Sequence, residues 1–297
     1  MTDRRTALDP GAIALLLTCC GLWGLNQVAT KVALADFPPF LQAGLRSAVA
    51  ALLVLGWTRL RGLPLFGRDG SLAGGLLTGL LFAGEFGLIF FGLQYTTASR
   101  MVVFIYLAPF VVALGMPFVS PAERLSARQF GGLALAFAGV AAAFAEGFAQ
   151  PSAGPRQWLG DACGVGAAVL WGATTLVIRG TPLASAAPEK TLLYQLGVSA
   201  VLLAGAAAVA GERWPQAPSL LSWGALGFQT VVVTFASYLM WFWLVRHYPA
   251  TRIASFTLLT PIAGLLAGAL LLDEPVTLRL VLALGTVVAG LVLVNRR

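Results

Sequence analysis

Apolar runs long enough to cross a bilayer follow one another along this 297-residue chain almost without pause. A hydrocarbon core takes roughly 20 mostly apolar residues per helical span. Such runs lie near residues 11–34, 40–60, 70–93, 98–118, 127–145, 158–180, 189–210, 219–245, 251–272 and 277–294, and the longest connection, 146–157, is too short for a soluble domain. With 58% hydrophobic and 10% charged residues and a mean hydropathy of +0.85, the chain departs far from a soluble domain, in which about 25% of residues are charged. The expected fold is an all-α integral membrane protein with ten transmembrane helices.

The chain also repeats itself. Ala98-Ser99-Arg100, Leu107-Ala108-Pro109, Glu123 and Ala138-Gly139 return as Ala250-Thr251-Arg252, Leu259-Thr260-Pro261, Glu274 and Ala289-Gly290, 151 or 152 positions later. Trp23-Gly24 and Lys31 return as Trp171-Gly172 and Arg179 at an offset of 148. A long internal period fixes architecture before any local feature does. The expected domains are a first five-helix repeat over 1–148 and a second over 149–297. An odd number of spans per repeat turns the second upside down in the membrane, a recurring transporter design with its site near the midplane.

The formal charge of +7 is distributed as membrane topology demands. With the N-terminus inside, thirteen of the nineteen Lys and Arg residues fall at cytoplasmic ends, five at the opposite ends, and Arg46 within a span. This is the positive-inside bias rather than a nucleic-acid patch, and it predicts cytoplasmic termini on both ends of the chain. Arg4, Arg5 and the apolar run 12–25 imitate a signal peptide. The recurrence of the same helix pattern at Trp171 argues against that reading, because a discarded leader would have no counterpart within the fold.

Polar and aromatic residues within the spans mark a candidate substrate cavity. Trp23, Asn26, Gln27 and Thr30 share one helix face, and Trp171, Thr174 and Thr175 repeat the spacing. In lipid such side chains turn to protein or to a water-filled cavity. Phe82 and Phe86 flank Glu85, Tyr106 precedes the Leu-Ala-Pro run, and Thr234, Tyr238 and Trp241 stand in the eighth span. Arg46 and Glu85 are the clearest ionisable residues inside spans, at matching depth, and are expected to form a buried ion pair. Pro109 and Pro261 sit at corresponding places in the two repeats and are expected to act as helix hinges, since proline disturbs the carbonyl four residues back.

Other residues read as structural. Ser120-Pro121-Ala122-Glu123 is a capping-box sequence. The glycines of the third span, and Gly160/Gly164 and Gly264/Gly268 at four-residue spacing, suit close helix approach. His247 is expected in a cytoplasmic loop. Cys19, Cys20 and Cys163 lie in apolar spans with neither metal-ligand spacing nor a disulfide framework. No metal, cofactor or nucleic-acid partner is expected.

Glu123-Arg124-Leu125-Ser126, Gln129, Gly131-Gly132 and Ala138-Gly139-Val140, following Leu107-Ala108-Pro109, resemble the signature of the drug/metabolite transporter superfamily. The resemblance is to EamA-type ten-helix exporters and covers the whole chain. The second copy departs from it at Pro275 and at Leu284-Gly285. The aromatic-rich sequence is most similar to YddG-type amino-acid exporters. The resemblance implies a secondary transporter, not an enzyme, that exports small metabolites, above all neutral or aromatic amino acids, across the bacterial inner membrane by alternating access. It implies a monomer or weak oligomer whose partners are the lipid bilayer and a small-molecule substrate. A proton-coupled exporter of drugs or other metabolites and a passive channel stay open as alternatives. A membrane-embedded lipid enzyme would need several Asp, His or Ser residues gathered at one interface, and the chain has one His.

Overall fold

A computed structural model describes residues 9–63, 65, 67, 69–119, 126–149, 151–248, 257 and 259–295. It is all-helical among those residues. In chain order the helices are α1 (Pro10–Ala33), α2 (Pro39–Leu60), α3 (Leu72–Gly92), α4 (Ala98–Ile105), α5 (Ala108–Val119), α6 (Ala127–Ala149), α7 (Gln157–Gly180), α8 (Pro188–Val209), α9 (Leu220–Gly227), α10 (Tyr238–His247), α11 (Leu259–Leu272) and α12 (Leu278–Asn295). Seven helical stretches are long and apolar enough to span a bilayer, with α4–α5 and the run from α9 into α10 each counting as one. The apolar helices Ala127–Ala143, Leu259–Leu272 and Leu278–Gly290 are shorter.

Two of the apolar runs are interrupted. α4 stops at Ile105, and Leu107 N–H bonds the Phe104 carbonyl at 3.1 Å before α5 begins. Pro109 has no N–H to donate to the Ile105 carbonyl, so the break follows from that missing donor and the ring clash. Pro261 is the third residue of α11, and Thr260 N–H reaches only three residues back to Thr257. The part of that run expected before Thr257, residues 251–256, lies outside the described residues. Between α9 and α10, residues Phe228–Ser237 wind as a π-helix. Such windings are rare and favour functional sites.

Packing follows the sequence repeat. α6 lies along α12, and α2 along α8. α3 packs on α7 as α1 packs on α9 and the π-segment; α1 packs on α11 as α7 packs on α4 and α5. The repeated glycine of the Ala-Gly pair has a role in this pairing. A Cβ on Gly290 would meet the Gly132 carbonyl at 2.5 Å, and Gly139 faces the Thr286 side chain directly. α1 and α11 come as close, since a Cβ on Gly24 would stand 2.6 Å from the backbone nitrogen of Gly264.

One end of the bundle is laced by carboxylates seated on helix N-termini from the other repeat. Glu212 accepts from the N–H groups of Phe40 (3.2 Å) and Leu41 (2.7 Å) at the start of α2. Asp36 accepts from the N–H and hydroxyl of Ser219, which precedes α9, at 2.8 and 2.7 Å. Glu274 accepts from Ala98 N–H (2.7 Å) and Ser99 N–H (2.9 Å) at the start of α4. The first turn of a helix presents unpaired N–H groups and the positive end of its dipole, so each carboxylate meets both.

Candidate functional site

The candidate site is built where α1, α2, α3 and the α9–α10 run meet. Trp23 donates its indole N–H to Ser237 Oγ at 2.8 Å, which ties α1 to the end of the π-segment. Its ring meets Trp241 at 5.1 Å and Tyr238 at 6.4 Å, both edge-on. Phe82 and Phe86 lie 4.5 Å apart on α3, with Phe90 beyond Phe86 at 6.3 Å. Tyr106, at the break after α4, meets Trp171 of α7 edge-on at 5.8 Å. Trp171 packs against the apolar clusters on both sides. Among the described residues, Glu85 and Tyr238 are the ionisable groups near enough to act on Arg46, and Tyr238 in turn lies near Tyr106.

The expected Arg46–Glu85 ion pair is not closed. Arg46 is fully buried, and none of its three guanidinium nitrogens has a hydrogen-bond partner among the described residues. The guanidinium carbon stands 3.9 Å from the Phe86 ring centroid and 5.1 Å from that of Phe90. Phe86 follows Glu85 on α3, and successive helical positions point about 100° apart. A guanidinium centred over Phe86 thus lies near the Glu85 carboxylate without closing an ion pair with it. A desolvated cation–π contact contributes about 2 kcal/mol, while the penalty for burying a charge is several kcal/mol. The ring alone does not offset it.

The other predicted residues divide by what their polar atoms do. Thr30 is fully buried and committed: its hydroxyl bonds Gln229 Oε1 at 3.1 Å and the Asn26 carbonyl at 2.8 Å, and its own carbonyl accepts from Gln42. Gln229 also donates to the Ala29 carbonyl at 3.2 Å, so it joins α1, α2 and the π-segment. Thr174 and Thr175 donate back to Leu170 and Trp171 of their own helix. Asn26 Oδ1 and Gln27 Oε1, about one turn from Trp23, are buried without a hydrogen-bond partner among the described residues. Thr234 donates to the Gln229 carbonyl, five residues back, in π fashion.

Sequence reasoning missed a second group, at the end of the bundle where the carboxylate caps lie. Arg100, 3% exposed, donates to fully buried Asp161 through Nε (3.1 and 3.2 Å) and a terminal nitrogen (2.6 Å). Its other terminal nitrogen reaches Glu146 at 3.2 Å, and Glu146 accepts from Thr277 at 3.0 Å. Thr96 donates to Asp161 at 2.6 Å; Lys31 donates to the Thr96 carbonyl at 2.7 Å and lies 3.4 Å from Glu274. Arg100 repeats in the sequence, but Asp161 has no acidic counterpart 148 residues earlier. Nothing in one dimension links it to Arg100.

The residues expected to be structural divide as well. Glu123 lies outside the described residues. Its counterpart Glu274 does cap a helix, but α4 rather than its own. Tight packing accounts for Gly74, Gly75 and Gly79, where a Cβ would run into Thr181, Tyr194 and Val198. His247 ends α10 rather than lying in a loop, with its ring stacked on Trp243 at 4.5 Å. It lines an open cavity with Trp57, Arg61, Glu189, Leu239 and Trp243. The three cysteines are buried and none is in a disulfide, and no group of metal-ligating side chains gathers among the described residues.

Chemically, the central group offers aromatic surface, a buried cation and a carboxylate, with no nucleophile and base in hydrogen-bond reach among the described residues. That is a binding arrangement. The model of the EamA-like transporter family matches the chain twice, over residues 10–145 and 158–296. An uncharacterized transporter of Bacillus subtilis (strain 168), YvbV, is 30% identical over 306 residues, covering 99% of this chain and 92% of that protein. A protein of Escherichia coli (strain K12) described as a probable amino-acid metabolite efflux pump is 28% identical over 280 residues, 90% of this chain and 88% of its own. A crystal structure shares the fold at a TM-score of 0.64 and 20% identity, over 96% of this chain and 97% of the other.

Proposed function

The chain belongs to the EamA-like transporter family, and from that premise we propose that it exports neutral amino acids, aromatic ones among them, across the bacterial cytoplasmic membrane. The observation that carries the reading is the central group itself: the Trp23–Tyr238–Trp241 cluster faces the same interior as Arg46, Glu85 and Phe86. Aromatic surface suits an apolar side chain, and a few buried polar groups fix its orientation. The description of the Escherichia coli relative as a probable amino-acid metabolite efflux pump agrees with this substrate class. In the proposed mechanism the repeats, 1–148 and 149–297, are inverted and rock about the central site, with both termini cytoplasmic and the 146–157 connection outside. The Arg100–Asp161 and Lys31–Glu274 contacts, which join the repeats at one end, then close the outer side. Pro109 and the start of α11 at Pro261 are the flexing points.

The test is uptake of labelled phenylalanine, threonine and lysine into liposomes holding the purified protein. Saturable uptake and exchange of a neutral amino acid are expected of a carrier. Absence of saturable uptake for all three refutes the substrate class, and flux without saturation or exchange points to a channel.

A second reading, proton-coupled export, gains from the open Arg46–Glu85 pair, because a carboxylate not held by a guanidinium is better placed to exchange a proton. Stimulation by an imposed pH gradient, lost in Glu85→Gln, supports coupling. Equal transport with and without the gradient supports simple gradient-driven movement.

A further inference from the structure

Two kinds of unsatisfied group lie buried on the helices around the aromatic cluster. One is a donor set: Nε and both terminal nitrogens of Arg46, a side chain with no exposed surface, lack any acceptor among the described residues. The other is an acceptor set. Asn26 Oδ1 and Gln27 Oε1, one turn from Trp23 on α1, are buried without a donor among the described residues, and the buried Glu85 carboxylate stands near Arg46 and Tyr238. Native interiors rarely leave such groups unpaired, and a lone cation in lipid surroundings marks a ligand path more often than a packing role. The guanidinium carbon stands over the Phe86 ring at 3.9 Å, and that contact takes up none of its three nitrogen donors. A planar fork of donors matches a carboxylate in two-point fashion. Acceptors on the facing helices match an ammonium group, which can only donate. A ligand that satisfies both sets carries an anion and a cation a few bonds apart.

Resting on the amino-acid reading above, we infer that the site recognises the zwitterionic head of its substrate: Arg46 takes the carboxylate, and Glu85, with Asn26 and Gln27, takes the ammonium group. The Trp23–Tyr238–Trp241 cluster then receives the side chain. Arg46 and Glu85 are charges that the substrate separates and satisfies, rather than a structural pair that must stay closed. The reading predicts discrimination by head group ahead of side chain. Molecules that keep the side chain and lose either charge leave one buried group unpaired and bind poorly.

The experiment is competition against labelled phenylalanine uptake in liposomes, using phenylalanine, phenethylamine (no carboxylate) and 3-phenylpropionate (no ammonium). If threonine is the amino acid transported, 1-aminopropan-2-ol and 3-hydroxybutyrate take their places. The wild-type protein should accept the full amino acid at least tenfold better than either analogue. In Arg46→Gln the advantage over the carboxylate-free analogue should fall below about threefold, while the advantage over the ammonium-free analogue persists; Glu85→Gln should show the converse. A merely structural arginine would weaken all three competitors alike. Should Arg46→Gln fail to fold, the wild-type comparison still decides. Equal competition by phenethylamine and phenylalanine overturns the head-group assignment alone. No saturable uptake of any amino acid overturns the proposed function and this assignment with it.

Discussion

The arginines at positions 46 and 100 show how differently one residue type can be used in the same interior. Arg100 is surrounded: Asp161, Glu146 and the Ala143 carbonyl take its donors, and Thr96 and Thr277 donate to the same two carboxylates. Arg46 has an aromatic face and no acceptor among the described residues. A cation that is fully paired belongs to the framework, whereas one that is not invites a ligand. Breaking a buried pair from one side costs about 3–5 kcal/mol, because the remaining charge is stranded. Asp161→Asn should therefore lower the thermal unfolding temperature of the detergent-solubilised protein by several degrees. Joint replacement of Arg100, Glu146 and Asp161 by apolar residues of similar size should recover most of that loss. An unchanged unfolding temperature in Asp161→Asn would refute a structural role for the pair. Sequence alone places Arg46 within a span and Arg100 at an outer end. It does not show which of them is paired, because the partners of Arg100 stand 46 and 61 positions away in the chain and Arg46 has no counterpart to them among the described residues.

Among the elements, the π-segment Phe228–Ser237 has the largest consequence for the site. It sets the rotation of α10 relative to α9 and so decides that Tyr238 and Trp241 face Trp23. Removing one residue from the segment shifts every downstream side chain by one position, about 100° around the helix axis. Deletion of the exposed Val232 should abolish transport while leaving the circular-dichroism helix signal intact, and Val232→Ala should transport normally. Retained transport in the deletion variant would show that the winding is incidental. A second prediction concerns α1 and α11. With Gly264 backbone 2.6 Å from where a Cβ on Gly24 would stand, Gly24→Leu should prevent assembly or cost well over the ~1–3 kcal/mol of ordinary overpacking. Gly21→Leu, on the same helix with no atom within 4 Å, should be tolerated. Size-exclusion profiles and unfolding temperatures of the two variants distinguish the cases. The positions of these helices were legible from hydropathy and from proline. The π-winding was not, because no residue type demands it; it is the compromise of one long span serving partners on several sides.

For the whole molecule, the proposed orientation has both termini facing the cytoplasm and the 146–157 connection facing outward. Ser152→Cys should react with an impermeant thiol reagent on intact cells, and Arg61→Cys only after permeabilisation, since the native cysteines are buried. The reverse pattern would overturn the orientation. The architecture was already written in one dimension: an all-helical membrane chain of two repeats, with a break before Pro109 and close contacts at the repeated glycines. Those features arise from forces that act locally or recur with a period. Lipid requires apolar runs of bilayer length, proline lacks an N–H, and glycine lacks a Cβ. Which charges meet is a matter of helix packing alone. The choice between Glu85 and Phe86 for Arg46, the capture of Arg100 by Asp161, and the seating of Glu274 on α4 all depend on which helix faces lie side by side. In a low-dielectric interior a displacement of a few ångströms decides whether a charge is paired or stranded, and no one-dimensional pattern carries that distance.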